Sequence, residues 1–181
     1  MTLHLAQSYP SLAQRVQSVD QQSLKTLLTT RFGVPAAVME NIYFFQSNRR
    51  SVSIVNADHA DLSDQAEAHG IPFAYTDSAV PKLTTAAVSF LGHHATDSIV
   101  NLESSHQADA FLSRTIITLG DTQACSKGYV VVRFDGLTLG LGILRLTDEG
   151  RMTVESCYPK AWRLKRVVPR LVPLKHIPPT E

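Results

Sequence analysis

Lys160, Trp162, Arg163, Lys165 and Arg166 fall within seven consecutive positions. Ammonium and guanidinium groups neutralise phosphates with release of counterions, and an indole offers a face on which a base or ribose can stack. Residues of these types at this spacing suit a polyanion, while Trp162, the single tryptophan, reads in the first place as an anchor of the closing segment onto the body and in the second as a stacking platform. The net charge of +1 conceals the asymmetry behind this cluster. From Arg151 onward there are seven basic residues against two acidic ones, a local charge of +5, whereas the residues before it sum to −4. A cationic end on an anionic body is what local phosphate binding requires, and a solvated cationic tail would show the same count. Arg133 and Arg145, on two adjoining apolar runs, would extend such a surface.

Other chemistry finds little support. Cys125 and Cys157 lie far apart and form no Cys-x-x-Cys pair, which reads as two reduced thiols rather than a disulfide or a metal site. His93 and His94 are adjacent, so their side chains diverge, and no second ligand cluster accompanies them. No Gly-x-Gly-x-x-Gly follows a strand pattern, and neither a phosphate loop nor a Gly-x-Ser-x-Gly elbow is present. Asp135 precedes a glycine and reads as a turn former. The expectation is a protein that is not an enzyme and carries no cofactor or metal.

The elements that must position the cationic cluster can be read from periodicity. The chain has 181 residues, 44% of them hydrophobic and 18% charged, ordinary values for a globular protein with room for a buried core. Leucines at 24, 27 and 28 predict a helix over 21–32, stopped by Gly33 and Pro35, with a further helical turn over 36–40. Apolar runs at 42–46 and 51–55 predict a hairpin closed by a four-residue loop. A helix over 61–69, a strand over 71–75 and a helix over 82–91 complete a compact first unit. The polar stretch 93–97 is the expected boundary.

Beyond it the pattern is mostly β. A strand over 98–102 precedes a helix over 104–112, opened by the Ser-x-x-Gln capping pattern of Ser104 and Gln107. Strands are expected over 115–119, 127–134, 137–146 and 152–158, with Asp135-Gly136 as a hairpin turn. Several short strands and one helix suggest a small barrel. The division is an arm at 1–20, an α+β unit at 21–96, a β-barrel at 97–170 and a proline-bearing extended tail at 171–181. No window approaches about eighteen uncharged apolar residues, and the first eighteen residues lack the build of a secretory signal, so a cytoplasmic location without a membrane partner is expected.

The run from Lys127-Gly128 through Asp135-Gly136 to Leu139-Gly140-Leu141-Gly142, followed by Tyr158-Pro159-Lys160, resembles the signature of PUA domains. The similarity is to the PUA domains of Nop/Sun-type RNA cytosine-C5 methyltransferases and of a PUA-type ribosome assembly factor, and it covers about residues 98–170. The first unit resembles, in arrangement, the pre-PUA unit that precedes such domains. Several relatives have lysine-asparagine before the tyrosine-proline, where this chain has Glu155-Ser156. The resemblance implies a pre-PUA-like α+β unit followed by a PUA-like β-barrel that docks structured RNA, rRNA or tRNA. It further implies that the helix over 104–112 and the bare backbone at Gly140 and Gly142 face the ribose-phosphate chain. Glycines at those positions would equally serve a tight barrel corner or a bulge. The RNA-contacting set expected is Lys127, Gly128, Arg133, Gly140, Gly142, Arg145, Lys160, Trp162, Arg163, Lys165 and Arg166.

The leading expectation is therefore an RNA-binding adaptor without a catalytic domain, acting in RNA modification or ribosome maturation beside an RNA-modifying enzyme or a ribosomal particle. The competing one is a protein–protein interaction module that grips such an enzyme; a small-molecule enzyme ranks third. The first two separate on salt, because phosphate contacts weaken steeply as salt rises and an apolar interface does not.

Overall fold

The computed structural model describes residues 20–56, 70–120 and 126–162. The expected N-terminal arm, the helix over 61–69, the tail and residues 163, 165 and 166 of the cationic cluster lie outside these.

Helix α1, Gln21–Phe32, starts at Asp20, whose carboxylate accepts from the Ser23 amide and hydroxyl and is thereby held below its ordinary pKa. It ends at Gly33, in the left-handed region at φ 63°, with the Gly33 and Val34 amides returning to the Thr29 and Leu28 carbonyls. Leu24, Leu28 and Phe32 form its buried face. A short 3-10 turn, Ala36–Met39, leads to β1 (Ile42–Asn48) and β2 (Ser51–Asn56), which pair antiparallel. The strands run further into the hairpin than expected, with an irregular register between Gln46 and Asn48. Strand β3 (Ile71–Tyr75) and the two-residue β4 (Lys82–Leu83) complete an antiparallel sheet ordered β1-β2-β3-β4.

The expected helix over 82–91 begins later. Lys82 and Leu83 instead pair with Tyr75 and Ala74, and Thr84 caps α2 (Thr85–Leu91) by accepting from the Ala87 amide. The apolar spacing there predicts one helix because a two-residue strand is too short to show a period of its own.

After β5 (Ile99–Leu102), Ser104 caps α3 (Ser105–Leu112) by accepting from the Gln107 amide, while the Gln107 carboxamide takes the Glu103 amide. Strands β6 (Ile117–Thr118), β7 (Gly128–Phe134), β8 (Leu137–Leu146) and β9 (Met152–Ser156) follow. They join β5 in a curled half-barrel ordered β5-β7-β8-β9-β6, with β5 parallel to β7 and the other pairs antiparallel. Asp135 (φ 49°) and Gly136 (φ 74°) close the β7–β8 hairpin in the left-handed turn that the pair predicts.

The half-barrel is buried on both faces. Val130, Val132, Leu144 and Val154 pack inward against Ala108 and Phe111 of α3. Val131 and Leu141, on the opposite face, join the core of the first unit, against Leu28, Phe32, Leu91 and Ala95 among others. The expected boundary at 93–97 is therefore crossed by a continuous core. Its backbone is tied as well: Thr96 and Asp97 donate to the Phe32 carbonyl at the end of α1, and Val131 donates to the Ser98 carbonyl at 2.8 Å. The architecture is mixed α+β with two sheets, one of them a curled half-barrel, and three helices among the described residues.

Candidate nucleic-acid interface

Strand β9 stops at Ser156, whose hydroxyl accepts from the Tyr158 amide, and the chain turns through Pro159 into a 3-10 turn, Lys160–Trp162. Tyr158 packs on the inner core of the half-barrel. Trp162 meets its ring edge-on, with centroids 6.1 Å apart and planes at 70°, and is left 59% exposed. Arg114 fixes this corner. It follows α3 in the left-handed region at φ 63°, and its guanidinium donates to the Tyr158 carbonyl. The result is an indole supported from behind and open to solvent, with the exposed Lys160 two residues away.

The structure separates the other expected contacts. Arg145 is exposed on β8 but paired with Glu155 on β9 at 3.2 Å. Both partners are solvated, so the pair adds little stability and leaves Arg145 available to a phosphate that outcompetes one carboxylate. The departure noted at Glu155 thus has a physical consequence, a partly neutralised cation. Arg133 is directed elsewhere: its Nη2 donates to the carbonyls of Gly92 and Ala95, and its Nε is buried without a partner among the described residues. It joins β7 to the first unit rather than extending a cationic surface.

The open glycine face is not found. Gly140 and Gly142 are both buried, on the inner side of the half-barrel. A Cβ on Gly140 would stand 3.6 Å from the Phe111 ring and 3.7 Å from the Tyr158 ring; one on Gly142 would stand 2.9 Å from methyls of both Val132 and Val154. The register shifts between Val132 and Arg133, where Leu139 is left over between the partners Gly140 and Thr138, a bulge that bends β8. The glycines serve the curl of the sheet, with α3 and Tyr158 lying where RNA backbone was expected.

Lys127 and Gly128 are likewise engaged from the first unit. Arg31, in the last turn of α1, donates through Nε to the Tyr129 carbonyl (3.0 Å), through Nη1 to the Ser126 hydroxyl (2.8 Å) and through Nη2 to the carbonyls of Ser126 (3.0 Å) and Lys127 (2.8 Å). Gly128 is held at φ 112°, and a Cβ there would come within 3.1 Å of Arg31 Nη2. The Lys127 side chain remains exposed. Arg31 and Arg114 both escaped the sequence reading. Arg31 lies in the last turn of α1 and Arg114 just past the end of α3, where a cation has a local reason to be, and nothing local distinguishes one that also reaches across the fold.

Behind the interface, Cys157 packs against the first core, and burial pushes its thiol above the ordinary range; Lys82 and Arg114 oppose the shift and Glu155 adds to it. Burial also raises the Tyr129 hydroxyl, with Cys157 and Asp77 contributing. His93 and His94 lie with ring centroids 3.7 Å apart and planes tilted by 43° rather than diverging. Among the described residues no group of three or more His, Cys, Asp or Glu side chains could hold a metal ion, and no helix is long and apolar enough to cross a membrane. No family model matches the chain, and no curated protein matches it.

Proposed function

We propose that this chain is an RNA-binding adaptor, without a catalytic domain of its own, that docks structured rRNA or tRNA in RNA modification or ribosome maturation. The observation that carries the reading is the solvent-facing Trp162, braced by Tyr158, beside Lys160 and followed in sequence by Arg163, Lys165 and Arg166. A lone tryptophan that only anchored the chain end would be expected to bury its indole, because an exposed one forgoes its apolar burial. Here it stands at the edge of a half-barrel whose strand and helix order is compatible with the PUA-like barrel that the Lys-Gly, Asp-Gly and Tyr-Pro-Lys signature resembles. Recognition would rest on shape: cations neutralise phosphates and the indole stacks on one unpaired base or ribose. The surface used is the C-terminal turn, not the glycine strand.

The test is equilibrium binding of the full chain to a labelled tRNA and to rRNA fragments, with Trp162→Ala and Trp162→Phe compared. Stacking of one base is worth about 1–3 kcal/mol, so the alanine variant should bind roughly fivefold to a hundredfold more weakly, and phenylalanine should restore part of the loss. Equal affinity of all three proteins would remove Trp162 from the interface. Binding to none of the RNAs by the wild-type protein would favour the protein–protein module instead.

A further inference from the structure

Where α1 crosses β7 and β8, the two units leave a cleft of about 540 Å³. This is a volume typical of small-molecule sites. Its walls are apolar: Leu27 from α1, Val80 and Pro81 from the loop before β4, and Ile143 from β8. Polar side chains come from Arg31, Lys127, Tyr129 and Thr30, the last of which already donates its hydroxyl to the Thr26 carbonyl.

The charges in the cleft are unbalanced. The four Arg31 hydrogen bonds among the described residues go to neutral acceptors, three backbone carbonyls and one hydroxyl, and no described carboxylate pairs with the guanidinium. Among the described residues Lys127 has no ion-pair partner either. The carboxylate among the described residues that acts on the Tyr129 hydroxyl is Asp77, after the larger effects of burial and of Cys157. Two cations without an ion-pair partner among the described residues, at the border of an apolar slot, are complementary to an anionic group on an apolar body.

We propose that this cleft is a binding site for a small amphipathic anion, an apolar body bearing one carboxylate, with the apolar part between Leu27, Val80 and Ile143 and the carboxylate at Lys127 and Arg31. The site lies apart from the Trp162 turn and does not rest on the RNA reading. Because both units contribute walls, a bound ligand stabilises the folded chain in proportion to its affinity.

The probe is 8-anilinonaphthalene-1-sulfonate, an anion on an apolar body, titrated into the native full-length protein and then displaced by decanoate or by 1-decanol. One saturable site is expected, with decanoate displacing the probe about tenfold more effectively than the alcohol, the loss of one charge-assisted contact. Lys127→Ala, at an exposed position, should weaken decanoate by a similar factor, Leu27→Arg should abolish probe binding, and Trp162→Ala should change neither. No saturable site, displacement by decanol as effective as by decanoate, or unaltered binding in both cleft variants would overturn the proposal. Each of those results would leave the RNA reading standing.

Discussion

Replacing Arg31 with methionine keeps most of the aliphatic stem and removes the guanidinium that ties α1 to the start of β7. Four hydrogen bonds are lost, of which the one to the Tyr129 carbonyl is part-buried and the other three are exposed. At about 0.5 kcal/mol for each exposed bond and about 1 kcal/mol for the shielded one, the loss is roughly 2–3 kcal/mol, since water can replace the donor at each acceptor. With a denaturant slope of about 2–3 kcal/mol per molar urea, the midpoint should fall by about 1 M. The assay is urea unfolding followed by far-ultraviolet circular dichroism and by the fluorescence of Trp162, the single tryptophan of the chain. Because Val131 and Leu141 belong to the core of the first unit, both signals should change together in the wild-type protein. A midpoint moved by less than about 0.2 M would refute the stabilising role given to the Arg31 hydrogen bonds. Two separated transitions in the wild-type protein would refute the shared core itself.

Gly142→Ala places a methyl 2.9 Å from branched methyls on two sides, Val132 and Val154, neither of which has a flexible end to swing away. A loss of about 1–3 kcal/mol is expected in the same unfolding assay, and a neutral substitution would show that the inner face is looser than described. Alkaline pH should also weaken the fold. Cys157 and Tyr129 have folded pKa values raised above their unfolded ones, so their contribution is fully present below the unfolded thiol value of about 8.5 and is lost as pH rises through the folded values. Urea midpoints measured at neutral and alkaline pH should therefore fall less in Cys157→Ala than in the wild-type protein, and equal falls would contradict the assignment.

What could be read from the sequence was local. Gly33 after a leucine-spaced helix, Asp135-Gly136 between two apolar runs and Ser104 with Gln107 each carry their conformational reason within a few residues, and each holds its expected place in the fold. What could not be read is set by contacts between distant segments. Alternation along β8 marks Gly140 and Gly142 as sharing one face, but not that Phe111 and Tyr158 cover it. Arg133 on a strand looks like any solvated arginine until the carbonyls of Gly92 and Ala95 are brought to it by the packing of α2 on the half-barrel. Lys82 and Leu83 became a strand only because Ala74 and Tyr75 offered an edge. The Trp162 turn was legible as a cluster of residue types, and its exposure was the part that needed the fold.

The central claim is that cations around Trp162 bind RNA through phosphates, and the salt dependence of binding tests it most directly. The wild-type chain and a variant with Lys160, Arg163, Lys165 and Arg166 all changed to alanine would be titrated with labelled tRNA and rRNA fragments at several salt concentrations. Wild-type affinity should fall linearly on logarithmic axes with a slope of roughly −0.7 to −0.9 for each phosphate neutralised, and the variant should show a weaker affinity and a flatter slope. Identical slopes in the two proteins, or no binding at low salt, would contradict the account.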